Sequence, residues 1–295
     1  MVFLKAEISK GATKTSMEKI WISGVNGHVG SALVKMLDFE KYKYVATDKN
    51  EVDITNIEAV HSFCKINRPD IIINCSGLTD LQECESNPDM AYAVNAVGVR
   101  NIAQEAQEIG AKLIQISTDD VFGTTDSKVL LNEFDDIAPR SVYGKSKAAG
   151  EKFMRALMSR YVIIRSSWVY GLGQDYVRVV LEAAEKGGSF IAPANQYSSP
   201  TSAKELAKVL MKFIENEYYG TYHVVCKGCC SRYEYAQEIL RLTNNEDKLE
   251  LLPCDGLSDT RPKYSVLDNM MIRISNIEEP AEWKSALKDY LTGGR

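Results

Sequence analysis

The run Gly24-Val25-Asn26-Gly27-His28-Val29-Gly30 sets three glycines at three-residue intervals between an apolar stretch and a helical pattern. Glycines there let the backbone turn sharply and approach a pyrophosphate, whose charge then sits at the positive end of the helix. Gly24, Gly27, His28, Val29 and Gly30 are therefore candidate dinucleotide-binding residues. About twenty residues on, Asp48 ends the next apolar stretch, where a carboxylate accepts hydrogen bonds from the adenosine ribose hydroxyls. That placement favours NADH. Lys49 beside it could instead pair a 2′-phosphate, which keeps NADPH open. A glycine turn with a solvated aspartate is the competing reading, and the strand–loop–helix context argues against it.

Tyr143 and Lys147 form a second constellation, four residues apart and hence on one face of a helix. An ammonium held beside a phenol favours the phenolate and lowers the phenol's pKa from about 10. Bringing it near 7 takes about 4 kcal/mol, shared between Lys147 and the positive nicotinamide of an oxidised cofactor. A tyrosine so tuned exchanges a proton with a carbinol or carbonyl oxygen. Composition alone yields roughly one such pair by chance, so the weight rests on its position after a predicted strand and loop. Ser117-Thr118-Asp119 stands at the carboxyl end of that kind of strand, which in open α/β sheets faces the ligand crevice. A hydroxyl there can hold a substrate carbonyl. Read singly, the three residues would only cap a turn.

The elements that must position these groups follow from periodicity. Apolar strands are expected at 20–22, 44–47, 71–73, 112–116 and 161–165, separated by helical patterns. Asn56 caps one helix, and Asn87-Pro88 opens another that runs to about Glu108. Ser202-x-x-Glu205 and Ser231-x-x-Glu234 read as capping boxes. Strands apolar on both faces, alternating with helices, specify a doubly wound parallel α/β sheet of Rossmann type. We expect a dinucleotide-binding domain at 17–167, with a strand near 221–226 returning to its sheet. Residues 168–295 should form mostly a smaller, interleaved substrate lobe, and residues 1–16 an N-terminal extension.

Composition narrows the function classes. Over 295 residues the chain is 45% hydrophobic and 25% charged with a net charge of -5. That is ordinary globular composition, without the basic excess of a nucleic-acid binder. No apolar run is long enough for a bilayer span, and Lys5, Glu7, Lys10 and Lys14 break up any signal-peptide core. Seven scattered cysteines suit free thiols in a reducing cytoplasm. His223, Cys226, Cys229 and Cys230 tempt a zinc reading. Strand alternation puts His223 and Cys226 on opposite faces, however, and no second ligand pair has zinc spacing, so no metal is expected.

Together these motifs resemble the extended short-chain dehydrogenase/reductase superfamily and, within it, the dTDP-4-dehydrorhamnose reductases. The likeness spans residues 18–290 through GVNGHVG, ESNPDMAYAVNAVGVRNIA, STDDVF, VYGKSKAAGE, RSSWVYG, PTSAKELA and RPKYSVLDN. It implies Thr118, Tyr143 and Lys147 as the catalytic trio. It also implies that Gly27 to Val29, Asp48, Asp53, Ile54, Gly77, Leu78 and Thr79 line NADH or NADPH. Asp119 and Trp168 would contact the sugar, although Trp168 could equally be a core residue. Arg261 is a candidate for the substrate's diphosphate by charge and position. The implied reaction reduces the C4 keto group of dTDP-4-dehydro-6-deoxy-L-mannose to dTDP-L-rhamnose for cell-surface polysaccharide synthesis. Asp120 departs from a frequent tyrosine, Asn195-Gln196-Tyr197-Ser198 from Asp-Gln-x-Gly, and Gln82 from a frequent aspartate. Ala32 stands where some members carry a glutamate tied to a metal-dependent dimer. A homodimer stays open, and a metal-bridged one is unsupported. An epimerase or dehydratase of the same superfamily is the nearest alternative, disfavoured by the short C-terminal half. A non-catalytic relative, the regulatory subunit of methionine adenosyltransferase, is disfavoured by the retained trio.

Overall fold

The computed structural model describes residues 17–123, 128–256 and 261–293; the expected extension at 1–16 lies outside them. Five strands come from the first half: β1 (Lys19–Ser23), β2 (Lys43–Thr47), β3 (Ile71–Asn74), β4 (Lys112–Thr118) and β5 (Tyr161–Ser166). The second half adds short strands β6 (Val169–Tyr170), β7 (Ser189–Pro193), β8 (Tyr197–Ser198) and β9 (Thr201–Ser202), then β10 (Gly220–His223), β11 (Cys230–Ser231) and β12 (Glu250–Cys254). The main sheet runs β10-β5-β4-β3-β1-β2, and every pair in it is parallel.

Alternation along these strands splits the core in two. Ile20, Ile22, Ile71, Ile73 and Ile164 enter one cluster, with Leu33 of α1 (His28–Met36) and the apolar face of Ala203–Glu215. Trp21, Ile72, Leu113 and Ile163 point the other way. They pack against α2 (Ile57–Asn67) and against helices spanning 99–109 and 142–157. A sheet buried on both faces reads as continuous apolar strands, which is why all four residues of β3 are buried. A third cluster joins Tyr170, Val177, Tyr235, Ile239 and Trp283 in the C-terminal part. Because β10 pairs with β5 while the 203–215 helix packs on α1, that part supplies an edge strand of the main sheet and a helix on one of its faces.

The helix expected from Asn87 to about Glu108 is present and runs without interruption from Pro88 to Ile109. A short separate α3 (Leu81–Ser86) precedes it, and it consists of α4 (Pro88–Tyr92), a π-helical turn over Ala93–Gly98 and α5 (Val99–Ile109). The start signal itself holds, since the Asn87 side chain accepts from the Met90 amide with Pro88 in the first turn. Ser231 and Glu234 form the expected capping box, but Ser202 makes no side-chain cap. Glu205 instead accepts from the Ala281 amide and pairs with Lys208. His223 is buried with its Nδ1 facing the Leu131 and Asp268 carbonyls, and all seven cysteines are free. No helix among the described residues is long and apolar enough to cross a membrane.

Candidate active site

Strand order reverses between β1 and β3, so the segments leaving their carboxyl ends diverge and open a crevice. Gly24 follows β1 at φ +80, a conformation that favours glycine, and a Cβ there would lie 2.6 Å from the Ser76 amide nitrogen. A Cβ on Gly30 would lie 2.4 Å from the Gly24 carbonyl oxygen. Gly30 therefore serves loop–helix packing and lines neither cavity described below. Gly27 caps α1 without any side-chain hydrogen bond, which leaves the first amides of the helix to a ligand. This cradle fits a dinucleotide pyrophosphate.

Two cavities meet along the Cys75–Gly77 segment. The smaller, about 310 Å³, is lined by Gly24, Asp48, Asp53, Ile54 and Leu78, as an adenosine pocket requires. Asp48 Oδ2 accepts from the Asn26 amide (3.2 Å) and Oδ1 from the Lys49 amide (2.7 Å), so the carboxylate braces the glycine loop. Asp53 accepts from both the amide and the hydroxyl of Thr55; burial opposes its ionisation, but these bonds hold it below the usual carboxylate range. Asn95, unanticipated from sequence, straps Leu78 through both backbone groups at 2.9 Å and donates to Ser146 Oγ at 3.0 Å. It projects from the π-helical turn.

The larger cavity, about 590 Å³, is lined by Gly27, His28, Val29 and Thr79 together with Thr118, Tyr143 and Lys147. Tyr143 and Lys147 belong to α6 (Val142–Leu157), capped by Ser141 Oγ accepting from the Gly144 amide at 2.9 Å. Gly144 lets this helix approach the strand-end turn: a Cβ would sit 2.1 Å from the Asp120 carbonyl oxygen. Lys147 Nζ donates to the Ile116 carbonyl at 2.6 Å; burial lowers its pKa to about 8, against the pull of Glu151. Thr118 Oγ1 donates to Asp119 Oδ1 at 3.3 Å and accepts from the Asp120 amide at 3.2 Å.

The expectation of an acidified phenol is overturned for the chain alone. Burial, then the carboxylates of Asp120 and Asp119, push the Tyr143 phenol above its ordinary value. A hydrogen bond with Thr118 pulls it down only partly. The spacing brings Tyr143 and Lys147 of one helix to the same cavity, but it is blind to two buried acids beside them.

Asp119 lines this cavity with Oδ2 accepting from Ser198 Oγ (3.0 Å) and Ser265 Oγ (2.5 Å); burial and the neighbouring Asp120 raise it to about 7. Trp168 and Arg261 also line the cavity. Trp168 is held at φ 43, unusual for a bulky residue, with its ring stacked toward Tyr235 at 6.4 Å. Arg232, at the start of the helix Arg232–Leu242, is a second guanidinium in the cavity that sequence reasoning missed. Its neighbour Ser231 carries a strong capping signal and gives no hint of what the next side chain does. Ser166 Oγ, Tyr170 Oη, Tyr235 Oη and Arg261 Nε are buried without a hydrogen-bond partner, and all four residues line this cavity. Buried polar atoms left unpaired cost about 1–3 kcal/mol each, so their concentration here marks a polar ligand's place.

A doubly wound sheet whose switch-point loop suits a dinucleotide, facing a tyrosine, a lysine and a threonine across one crevice, defines a nicotinamide-dependent oxidoreductase of the short-chain dehydrogenase/reductase class. Within that class, a family model described as RmlD substrate binding domain matches residues 17–295, and the chain belongs to the dTDP-4-dehydrorhamnose reductase family. Among curated relatives, the spore coat polysaccharide biosynthesis protein SpsK of Bacillus subtilis (strain 168) is 35% identical over 279 residues, 93% of this chain and 97% of that protein. A crystal structure of a dTDP-4-dehydrorhamnose reductase from Clostridium acetobutylicum ATCC 824 is 39% identical, with a TM-score of 0.89 over 93% of this chain and 98% of that one. The dTDP-4-dehydrorhamnose reductase of Bacillus anthracis str. Ames, solved in complex with NADP, is 36% identical with a TM-score of 0.90, covering 94% of this chain and 99% of that one.

Proposed function

We propose that this protein reduces the C4 keto group of dTDP-4-dehydro-6-deoxy-L-mannose to dTDP-L-rhamnose, as a cytoplasmic enzyme of nucleotide-sugar synthesis. The observation that carries this reading is that Thr118, Tyr143 and Lys147 line one cavity together with the Gly27–Val29 end of α1. In this reading residues 17–167, with the strand near 221–226, hold the dinucleotide, and residues 168–295 hold most of the sugar nucleotide. NADH or NADPH, when bound, supplies the hydride.

The chain's own residues do the rest. Thr118 holds the C4 carbonyl oxygen in place, and Tyr143 donates its proton to the oxyanion developing there. A phenol kept protonated by burial is in the state that reduction requires at its outset. Lys147 fixes the nicotinamide ribose, its ammonium aimed by the Ile116 carbonyl. Gly24, Gly27, His28 and Val29 cradle the pyrophosphate. Asp48, Asp53 and Ile54 bound the adenosine side, and Gly77, Leu78 and Thr79 lie between. Asp119 and Trp168 face the hexose, and Arg261 pairs with the diphosphate.

The test is nicotinamide absorbance with the dTDP-4-keto-6-deoxy sugar, wild type against Tyr143→Phe. Wild type should consume NADH or NADPH, and the variant should lose about 10²–10⁴-fold in rate while still binding the dinucleotide. No consumption by wild type would refute the reading, and sugar inversion at constant absorbance would make the protein an epimerase.

A further inference from the structure

The cavity carries more positive charge than a dinucleotide cradle built from backbone amides uses. Arg232 and Arg261 both line it, and among the described residues neither guanidinium has an ion-pair partner. They are close enough that Arg261, after burial, is the next cause lowering Arg232 to about 10. Two unpaired like charges side by side are unfavourable unless something anionic comes between them.

Arg232 is also held in place. Its guanidinium carbon lies 3.6 Å over the Trp168 ring and 4.6 Å from the Tyr176 ring centre. Tyr176 Oη donates to the Arg232 carbonyl oxygen at 3.0 Å, and Tyr176 stacks on Tyr235 at 5.5 Å. Stacking fixes the guanidinium plane and leaves its edge, where the N–H groups project, to a ligand. Arg261 Nε is buried without a partner. Asp119 and Asp120 are the buried carboxylates near both arginines that the cavity wall supplies. Asp119 Oδ2 is taken up by Ser198 and Ser265, and among the described residues no salt bridge forms to either aspartate.

Resting on the nucleotide-sugar reading above, we propose that Arg232 and Arg261 together clamp the substrate's diphosphate, with Trp168 acting as the platform that presets Arg232. Arg232 is then a specificity residue that distinguishes a nucleoside diphosphate from a monophosphate. The left-handed backbone of Trp168 turns its ring under Arg232, so that residue serves the clamp as well as the sugar.

Isothermal titration of dTDP, dTMP and NADH into the full-length protein tests this with wild type, Arg232→Gln and Arg232→Lys. Arg232→Gln should weaken dTDP by about 10- to 100-fold, the effect expected for losing charge-assisted bonds, and dTMP by less. NADH affinity should stay within about twofold in both variants, and Arg232→Lys should recover part of the loss because it restores charge without the planar fork. Unchanged dTDP affinity in Arg232→Gln overturns the clamp, as does a loss that falls on NADH and spares dTDP. If Arg232→Gln loses both ligands, the lysine variant decides. Retained NADH with weakened dTDP supports the clamp, and retention of both at wild-type affinity overturns it. Wild type that binds NADH but not dTDP would instead remove the nucleotide-sugar reading itself.

Discussion

At Lys147, burial and neighbouring negative groups act in opposite directions on one charge. Burial lowers its pKa to about 8, while Glu151 and Cys75 oppose the shift and the Ile116 carbonyl anchors Nζ. A lysine in this state is charged below about pH 8 and neutral above it. If it binds the nicotinamide ribose as a donor of charged hydrogen bonds, NADH affinity of the free enzyme should fall as pH rises through about 8. Fluorescence titrations of NADH between pH 6.5 and 9.5 should show that step in wild type and a flat profile in Lys147→Met. That Tyr143, Lys147 and Thr118 come to one cavity was legible in the sequence because spacing on a helix and position at a strand end are backbone properties. The phenol's environment was not, since Asp120 and Asp119 act on it through the packed turn after β4. Arg232 was illegible for a related reason: its partners Trp168 and Tyr176 are 64 and 56 residues away in sequence.

Among the elements, those with an apolar period and a conventional start or stop could be read directly. The strands of the first half, α2 behind Asn56 and the Ser231–Glu234 box all appear where their residues predict. The segment from 93 to 98 could not be read so, because a π-helical turn keeps the chain helical while its i→i+5 bonding shifts which side chains face inward. Here the turn aims Asn95 at Leu78, and the adjoining Gly98 gives Ile54 room: a Cβ would meet Ile54 Cδ1 at 2.7 Å. An asparagine inside the otherwise apolar run AVNAVG was the available signal, and the structure buries it to 1% exposure. Asn95→Ala should strip both bonds from the Leu78 backbone and one from Ser146. We expect a loss of about 1–3 kcal/mol by urea denaturation together with weaker NADH binding. An alanine variant with wild-type stability and wild-type NADH affinity would show that the 77–79 segment needs no strap.

Across the whole molecule, the two halves of the chain meet in a buried polar seam between β4, β5, α6 and β10. Glu151 accepts from Arg165 Nε (3.0 Å) and Nη2 (2.8 Å) and from Ser117 Oγ (2.6 Å), while Arg165 Nη1 lies 3.5 Å from His223 Nε2. A buried carboxylate so paired stays ionised, and its arginines hold it below the usual carboxylate range although burial opposes that. His223, from the returning strand, has the opposite fate. Burial, then the Arg165 guanidinium, lowers its pKa to about 3, so the folded protein holds it neutral. The unfolded chain protonates the same ring near 6.5, so below that pH the unfolded state binds the extra proton and is favoured. The stability contributed by a neutral His223 is thus complete above about 6.5 and is lost as pH falls toward about 3, at roughly 1.4 kcal/mol per pH unit within that window. Chemical denaturation at pH 7.0, 6.0, 5.0 and 4.0 should therefore show a falling unfolding free energy, with a shallower slope in His223→Gln than in wild type. Because β10 completes the sheet beside β5, the whole sheet should report this loss in one transition, and equal slopes in the two proteins would place the acid sensitivity elsewhere.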